Sequence, residues 1–263
     1  MRSSPRPCTN HTLRSTRTTR TGKIARSRMA AHHAKSNARC AGFSLLEMAI
    51  VLVVIGLLCA GTLSALSTQR DGSQQRETAQ RLADIHDALL GFAAANGRLP
   101  CPAAPPPAGG TEAASAPGVC SYPVSGYLPA NTLGLAPGNA QGYAVDAWGN
   151  AIRYAVFNDG NNTLTTPNGI KNKGMPVIAA QTMLTICASA SGITATSCGA
   201  APAMTTRAAA VVYSTGKNGT DEARGGSDDA VFVAQMQQDA DDPITWLSLN
   251  LLFNRMIAAG QLP

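Results

Sequence analysis

The stretch GFSLLEMAIVLVVIGLLCAG, residues 42–61, restricts this chain more than any other feature in it. From Phe43 to Ala60 nearly every side chain is apolar, so a helix built from these residues is hydrophobic on all sides. Such a helix belongs in a membrane or a core, not on a solvated surface. The apolar character extends from Leu45 to Leu66, enough to cross a bilayer core of about 30 Å. One residue breaks the pattern. Glu47 puts a carboxylate near the start of the run, where the centre of a membrane helix would penalise an acid by about 2.5–3.5 kcal/mol.

The charge distribution gives the run an orientation. The formal net charge is +6, which on its face points to a nucleic-acid partner. Ten of the 21 basic residues, however, lie before Phe43 with no acid among them, and the other eleven face all 15 acids. The basic character therefore belongs to a leader, residues 1–42, and the rest of the chain is net acidic. A basic segment flanking an apolar span stays on the cytoplasmic side. No nucleic-acid binding is expected.

After a polar stretch, ETAQRLADIHDALLGFAAANG repeats Leu82, Ile85, Leu89 and Phe92 at helical spacing. No proline falls between Phe43 and Leu99, so span and amphipathic part are compatible with one helix. Gly97 is its expected stop, and residues 43–96 would reach about 80 Å. Beyond Leu99 the chain turns rich in Pro, Ala and Gly. Short strand-like runs follow at 151–157, 176–180, 183–187, 208–213 and 230–235, separated by Gly/Asn/Ser/Asp loops. The tail reads as a helix, with Asp242 as N-cap, Pro243 at the first position and Gly260 as stop. The expected class is α+β: a long N-terminal transmembrane-plus-amphipathic helix, forming a stalk, with a C-terminal antiparallel sheet as head. The expected divisions are leader 1–42, membrane part 43–66, amphipathic continuation 67–97 and periplasmic head 98–263.

Four of the seven cysteines lie beyond the span, as two local pairs: Cys101 with Cys120, and Cys187 with Cys198. Disulfides in an oxidising compartment suit this spacing best, with free thiols and zinc as the alternatives. Zinc is disfavoured because no C-x-x-C occurs and His86 is the only histidine after the span.

An ordinary secretory signal is cleaved after its apolar run and carries no acid within it. A lipoprotein signal would use Cys59, but Leu58 is too large for the position before it. The stretch from Gly42 to Gly61 instead closely resembles the N-terminus of type IV pilins and type II secretion pseudopilins. The resemblance rests on Gly42, Phe43, Ser44, Leu45, Leu46 and Glu47 in register, directly before an apolar run. It implies cleavage after Gly42 by prepilin peptidase, N-methylation of Phe43, and assembly with other pilins or pseudopilins in a filament on an inner-membrane platform. Glu47 would then neutralise the amine of a neighbouring subunit, since buried ion pairs specify register better than they add stability.

The head adds to this. DAWGNAIRY is similar to the aspartate-tryptophan-glycine segment of major pseudopilins. YSTGKNGTDEARGGSDDAVF is similar to their calcium loop, with Ser214, Asn218, Asp228 and Asp229 as the matching positions. Asn218 stands where an aspartate ligand is expected, and calcium favours carboxylates. No cofactor is required, and calcium is the one candidate. The proline found mid-span in many members is absent, with Ser64 near its place.

Two other functions compete: a minor type IV pilin for adhesion, motility or DNA uptake, and a membrane-tethered periplasmic binding module that does not polymerise. An enzyme is not expected. The head has no histidine and no G-x-S-x-G elbow, so hydrolase chemistry lacks its base.

Overall fold

The structure, a computed structural model, describes residues 44–136, 138–223, 230–234 and 242–263, without the side chains of 59–68. The chain divides into two units, Met1–Val53 and Val54–Pro263. Helix α1 covers Leu45–Asn96 without a break. A two-stranded ribbon follows, β1 (Ala114–Ala116) with β2 (Val119–Cys120). Next come β3 (Gly126–Tyr127), α2 (Ala130–Leu133) and β4 (Arg153–Val156). Two short helices, α3 (Gly169–Lys173) and α4 (Met175–Ala179), precede β5 (Leu184–Cys187) and the long β6 (Ala203–Tyr213). The chain closes with β7 (Val231–Val233), β8 (Ile244–Ser248) and α5 (Leu249–Ala258). The architecture is α+β.

Strand β6 organises the sheet. Its second half pairs with β4 on one side and β8 on the other, while its first half pairs with β5. The sheet runs β3-β4-β6-β5-β7, with β8 added on β6. Side chains alternate between faces as strands require. Tyr154 and Val156 of β4, with Ala210 and Val212 of β6, join Leu82, Ile85, Leu89 and Ala93 of α1 and Leu252, Phe253 and Met256 of α5 in one core. Ala155, Val211 and Tyr213 face the other way, onto Leu184, Ile186 and Phe232. Both faces are covered, so β6 is buried continuously from Ala208 to Tyr213. The alternation slips once. Ala209 and Ala210 both join the α1 side, where the pairing with β8 shifts register between Ala208 and Ala210. A bulge there keeps the larger Val211 and Tyr213 on the opposite face.

Three expectations need correction. Residues 176–180 were expected as strand, but α4 is a helical turn, entered from Gly174 at φ 86° with Pro176 in its first turn. Proline lacks only an N–H that is unpaired there anyway. The tail is not one helix. Its Ile244–Ser248 pairs with β6, and α5 begins after Ser248, whose Oγ accepts from the Leu251 N–H at 3.3 Å. Asp242 instead accepts from the Glu222 and Ala223 N–H groups. The sheet is also mixed rather than antiparallel, because β7 runs parallel to β5.

The end of α1 matches expectation and adds a clasp. Gly97 has φ 67° and donates its N–H to the Ala93 carbonyl at 2.9 Å. The Gln261 side chain reaches the Ala94 and Ala95 carbonyls at 3.1 and 3.4 Å, and Leu262 is buried. The C-terminal residues thereby satisfy carbonyls that a helix end leaves open. Leu262→Ala is expected to lower stability by about 2–4 kcal/mol. Ile257→Ala, at an exposed α5 position, should change it far less. Urea unfolding of the full chain in detergent distinguishes the two.

Candidate functional site

Ser44 starts α1. Its Oγ accepts from the Leu46 N–H at 3.2 Å, and its carbonyl accepts from the Met48 N–H at 3.1 Å. Serine with glutamate three residues on has the spacing of a helix-initiating box, and Glu47 lies in the first turn of α1. An acid there is favoured by the partial positive charge of the helix N-terminus. Glu47 is exposed, so its carboxylate is available outside the chain's own fold.

The residues after it are unusual. Leu45 is 92% exposed, and Leu46, Ile50, Leu52, Val53, Ile55, Leu57 and Leu58 are all exposed too. These positions cover every face of the helix, unlike α1 between Leu82 and Ala93, where one stripe is buried. Isolated exposed apolar residues need no explanation, but an uninterrupted sleeve marks a surface made for an apolar environment. Among the described residues no helix is long and apolar enough to cross a membrane. The expected span at 43–66 is described with side chains only from Ser44 to Leu58. Gly42 and Phe43, the expected cleavage and methylation positions, lie outside the described residues, as does the leader.

A second constellation joins α1 to the sheet through the Asp146-Ala147-Trp148-Gly149-Asn150 turn. Asp146 is buried, and its Oδ1 accepts from the N–H groups of Trp148 and Asn150 at 2.9 and 2.8 Å. Its Oδ2 accepts from the Ser214 hydroxyl at 2.6 Å. Asn150 donates through Nδ2 to the Gly216 carbonyl at 2.6 Å. From the helix, Arg81 donates to the carbonyls of Val145 and Asp146 at 2.6 and 2.9 Å. Buried Thr78 accepts from the Ala147 N–H at 3.1 Å. An ion pair between Lys217 and Asp71 at 2.8 Å adds a solvated contact along the same edge. One carboxylate thus ties a turn, the loop after β6 and, through the turn's backbone, α1.

This geometry gives Ser214 a task other than the expected one. Its Oγ donates to Asp146 and accepts from the Gly216 N–H, which leaves it poorly placed as a metal ligand. Asn218 Oδ1 accepts from both the backbone and the hydroxyl of Thr220, each at 2.7 Å. Asp228 and Asp229 lie outside the described residues. Among the described residues no three His, Cys, Asp or Glu side chains converge to hold a metal. The four cysteines do converge: the Cys101 and Cys120 sulfurs are 2.06 Å apart, and those of Cys187 and Cys198 2.09 Å.

Sequence reasoning picked out the Asp-Trp-Gly segment but missed Asp146 as the acceptor at its centre, and Thr78 and Arg81 as its helix partners. The only local signal was an aspartate set two and four residues before the N–H groups it accepts from, a common turn device.

No curated protein and no solved structure matches the chain. Residues 37–63 match the prokaryotic N-terminal methylation motif. That motif implies processing by prepilin peptidase, membrane anchoring in bacteria and pilin assembly in a filament. It is the signature of type IV pilins and pseudopilins, and its presence at residues 37–63 supports a pilin-like or pseudopilin protein.

Proposed function

We propose that this chain is a pseudopilin of a type II protein secretion system. It is cut after Gly42 and N-methylated at Phe43, and it crosses the inner membrane through residues 43–66 with its head in the periplasm. The observation that carries this reading is the apolar sleeve of α1, exposed on every side and headed by an exposed Glu47 in the first turn. A sleeve of that kind suits lipid before assembly and neighbouring helices after it. In both settings its surface stays out of water, so packing rather than hydrophobic transfer selects the neighbour. Glu47 then supplies register, by pairing with the new Phe43 amine of the adjacent subunit. The DAWGN turn leans the reading toward secretion rather than a pilus. Disulfides fit a periplasmic head.

The reading assigns no catalysis and requires no cofactor. A calcium ion in the loop after β6 would draw on the candidate set Ser214, Asn218, Asp228 and Asp229, in which the two aspartates carry the charge.

The deciding experiment is the mass of the N-terminal peptide of the protein taken from its native membrane fraction. A chain beginning at Phe43 and heavier by one methyl group is expected. A chain beginning before Gly42 or after Ala60 would sink the reading. Glu47→Ala should leave cleavage after Gly42 and methylation of Phe43 unchanged, shifting the peptide only by the mass of the substitution itself, while filaments fail to form. A tethered binding module would keep its activity in the same variant.

A further inference from the structure

The proline-rich segment between the first two cysteines plays no part in the reading above, yet its construction is specific. Pro105, Pro106, Pro107 and Ala108 are all exposed, and the Ala108 N–H closes a turn onto the Pro105 carbonyl at 3.3 Å. Prolines have no N–H, so residues 105–107 present pyrrolidine rings and carbonyl acceptors and nothing that donates. No charged side chain occurs from Cys101 to Gly110.

The base of this knob is fixed. Tyr143, fully buried, donates its hydroxyl proton to the Ala104 carbonyl at 2.8 Å and accepts from the Gly109 N–H at 3.0 Å. A single phenol thus holds both feet of the turn. Just behind it, a Cβ added at Gly110 would lie 1.8 Å from the Gly142 carbonyl oxygen, so the backbones touch there. Ala103 bridges to Glu112 and Tyr127, and the Glu112 carboxylate takes both Arg98 nitrogens at 2.7 and 3.0 Å. A knob mounted this firmly loses little conformational entropy when it docks.

We propose that the Pro105–Ala108 knob is a recognition element that seats in an aromatic-lined pocket of a partner protein. Its chemistry excludes the other common modes. Strand addition needs alternating donors, which three prolines cannot supply. A charged surface finds no counter-charge on the knob. Aromatic faces match pyrrolidine rings in shape and polarity, and an indole or phenol at the pocket wall supplies the donor that a segment of acceptors lacks. A second copy of this chain is a poor host: among the described residues Tyr122 is the one aromatic that is itself exposed.

The test is photo-crosslinking in the native host, with a benzophenone amino acid placed in the full chain at Ala108. Exposed Asn254 on α5 serves as the control position. The expected result is an adduct from position 108 alone, mapped by mass spectrometry to peptides of one partner containing clustered Trp, Tyr or Phe. Adding Pro105→Ser, Pro106→Ser and Pro107→Ser should reduce it roughly tenfold or more, as losing buried ring contacts implies. N-terminal processing and disulfide content, read in the same samples, should stay unchanged because the knob bonds only to itself. Tyr143→Phe, which keeps the prolines but releases the feet, should weaken the adduct several-fold. Equal adducts at 108 and 254 would overturn the proposal. So would an adduct that survives the serine substitutions, or one at twice the mass of this chain.

Discussion

Asp146→Ala is expected to destabilise the fold by about 3–5 kcal/mol, since each hydrogen bond to a buried charged acceptor contributes about 1.5–3 kcal/mol. Asp146 is 2% exposed, and its carboxylate accepts from Trp148, Asn150 and Ser214 within 2.9 Å. Alanine would leave those donors facing a small void that water reaches poorly. The damage should spread along α1, because Arg81, Thr78 and Gln74 hold the backbone of the same turn. Asp146→Asn separates acceptor count from shape. Its carbonyl still serves the two backbone N–H groups, but its amide now faces Ser214, whose oxygen already accepts from Gly216. That variant should lose about 1–2 kcal/mol. Urea unfolding of the full chain in detergent gives both numbers, and hydrogen exchange over residues 74–81 reports the loosening of α1. If alanine and asparagine cost the same, the buried charge is not what holds the joint.

The contrast between what was readable and what was not follows from sequence separation. Helix α1 was legible because its signals are local. These are an apolar run, a stripe at Leu82, Ile85 and Leu89, no proline between Phe43 and Leu99, and Gly97 at the end. The cysteine pairs were legible too, at separations of 19 and 11 residues. The Asp146 joint was not, since its bonds to Ser214 and Ala147's bond to Thr78 span 68 and 69 residues. Nothing in the residues around Thr78 marks it as buried. The parallel pairing of β7 with β5 was hidden for the same reason: direction is set by how the intervening chain returns, not by the three residues of β7.

Two local signals misled rather than fell silent. At the tail, Asp242-Pro243 mimics a helix start, while the β-favouring Ile244-Thr245-Trp246 that follows argues for strand. The open side of β6 decided in favour of strand, and Ser248 supplied the cap that α5 needed. At α4 the run Met175–Ala179 is too short for periodicity to separate strand from helix. Here Gly174 at φ 86° redirects the chain into a turn and Ile178 is buried against the α1 core. At the motif itself, sequence reasoning singles out Gly42, Phe43 and Glu47 as candidates, and the structure adds what comes after Phe43: a capped helix start and an apolar surface with no polar side.

Opening both disulfides is expected to cost about 6 kcal/mol, from about 3 kcal/mol for each loop of this size. A typical domain has only about 5–15 kcal/mol in all, so reduction alone should bring the head close to unfolding. The two bonds act at different places. Cys101–Cys120 ties the chain leaving α1 to β2, beneath the segment fixed by Glu112 and Arg98. Cys187–Cys198 sits where β5 ends, and shortens the free path before the chain enters β6 at Ala203. Both constrain the unfolded chain more than they add contacts to the folded one, so removing either pair should lower the urea midpoint by roughly 1 M or more. Thiol counting supplies an independent check on the processed chain beginning at Phe43. Denatured without reductant it should show one thiol, Cys59, and with reductant five. Five thiols before reduction would mean the head matures without either bond. In that case its stability must come from the two cores and the Asp146 joint alone, and the effect of Asp146→Ala should then be complete unfolding rather than a shifted midpoint.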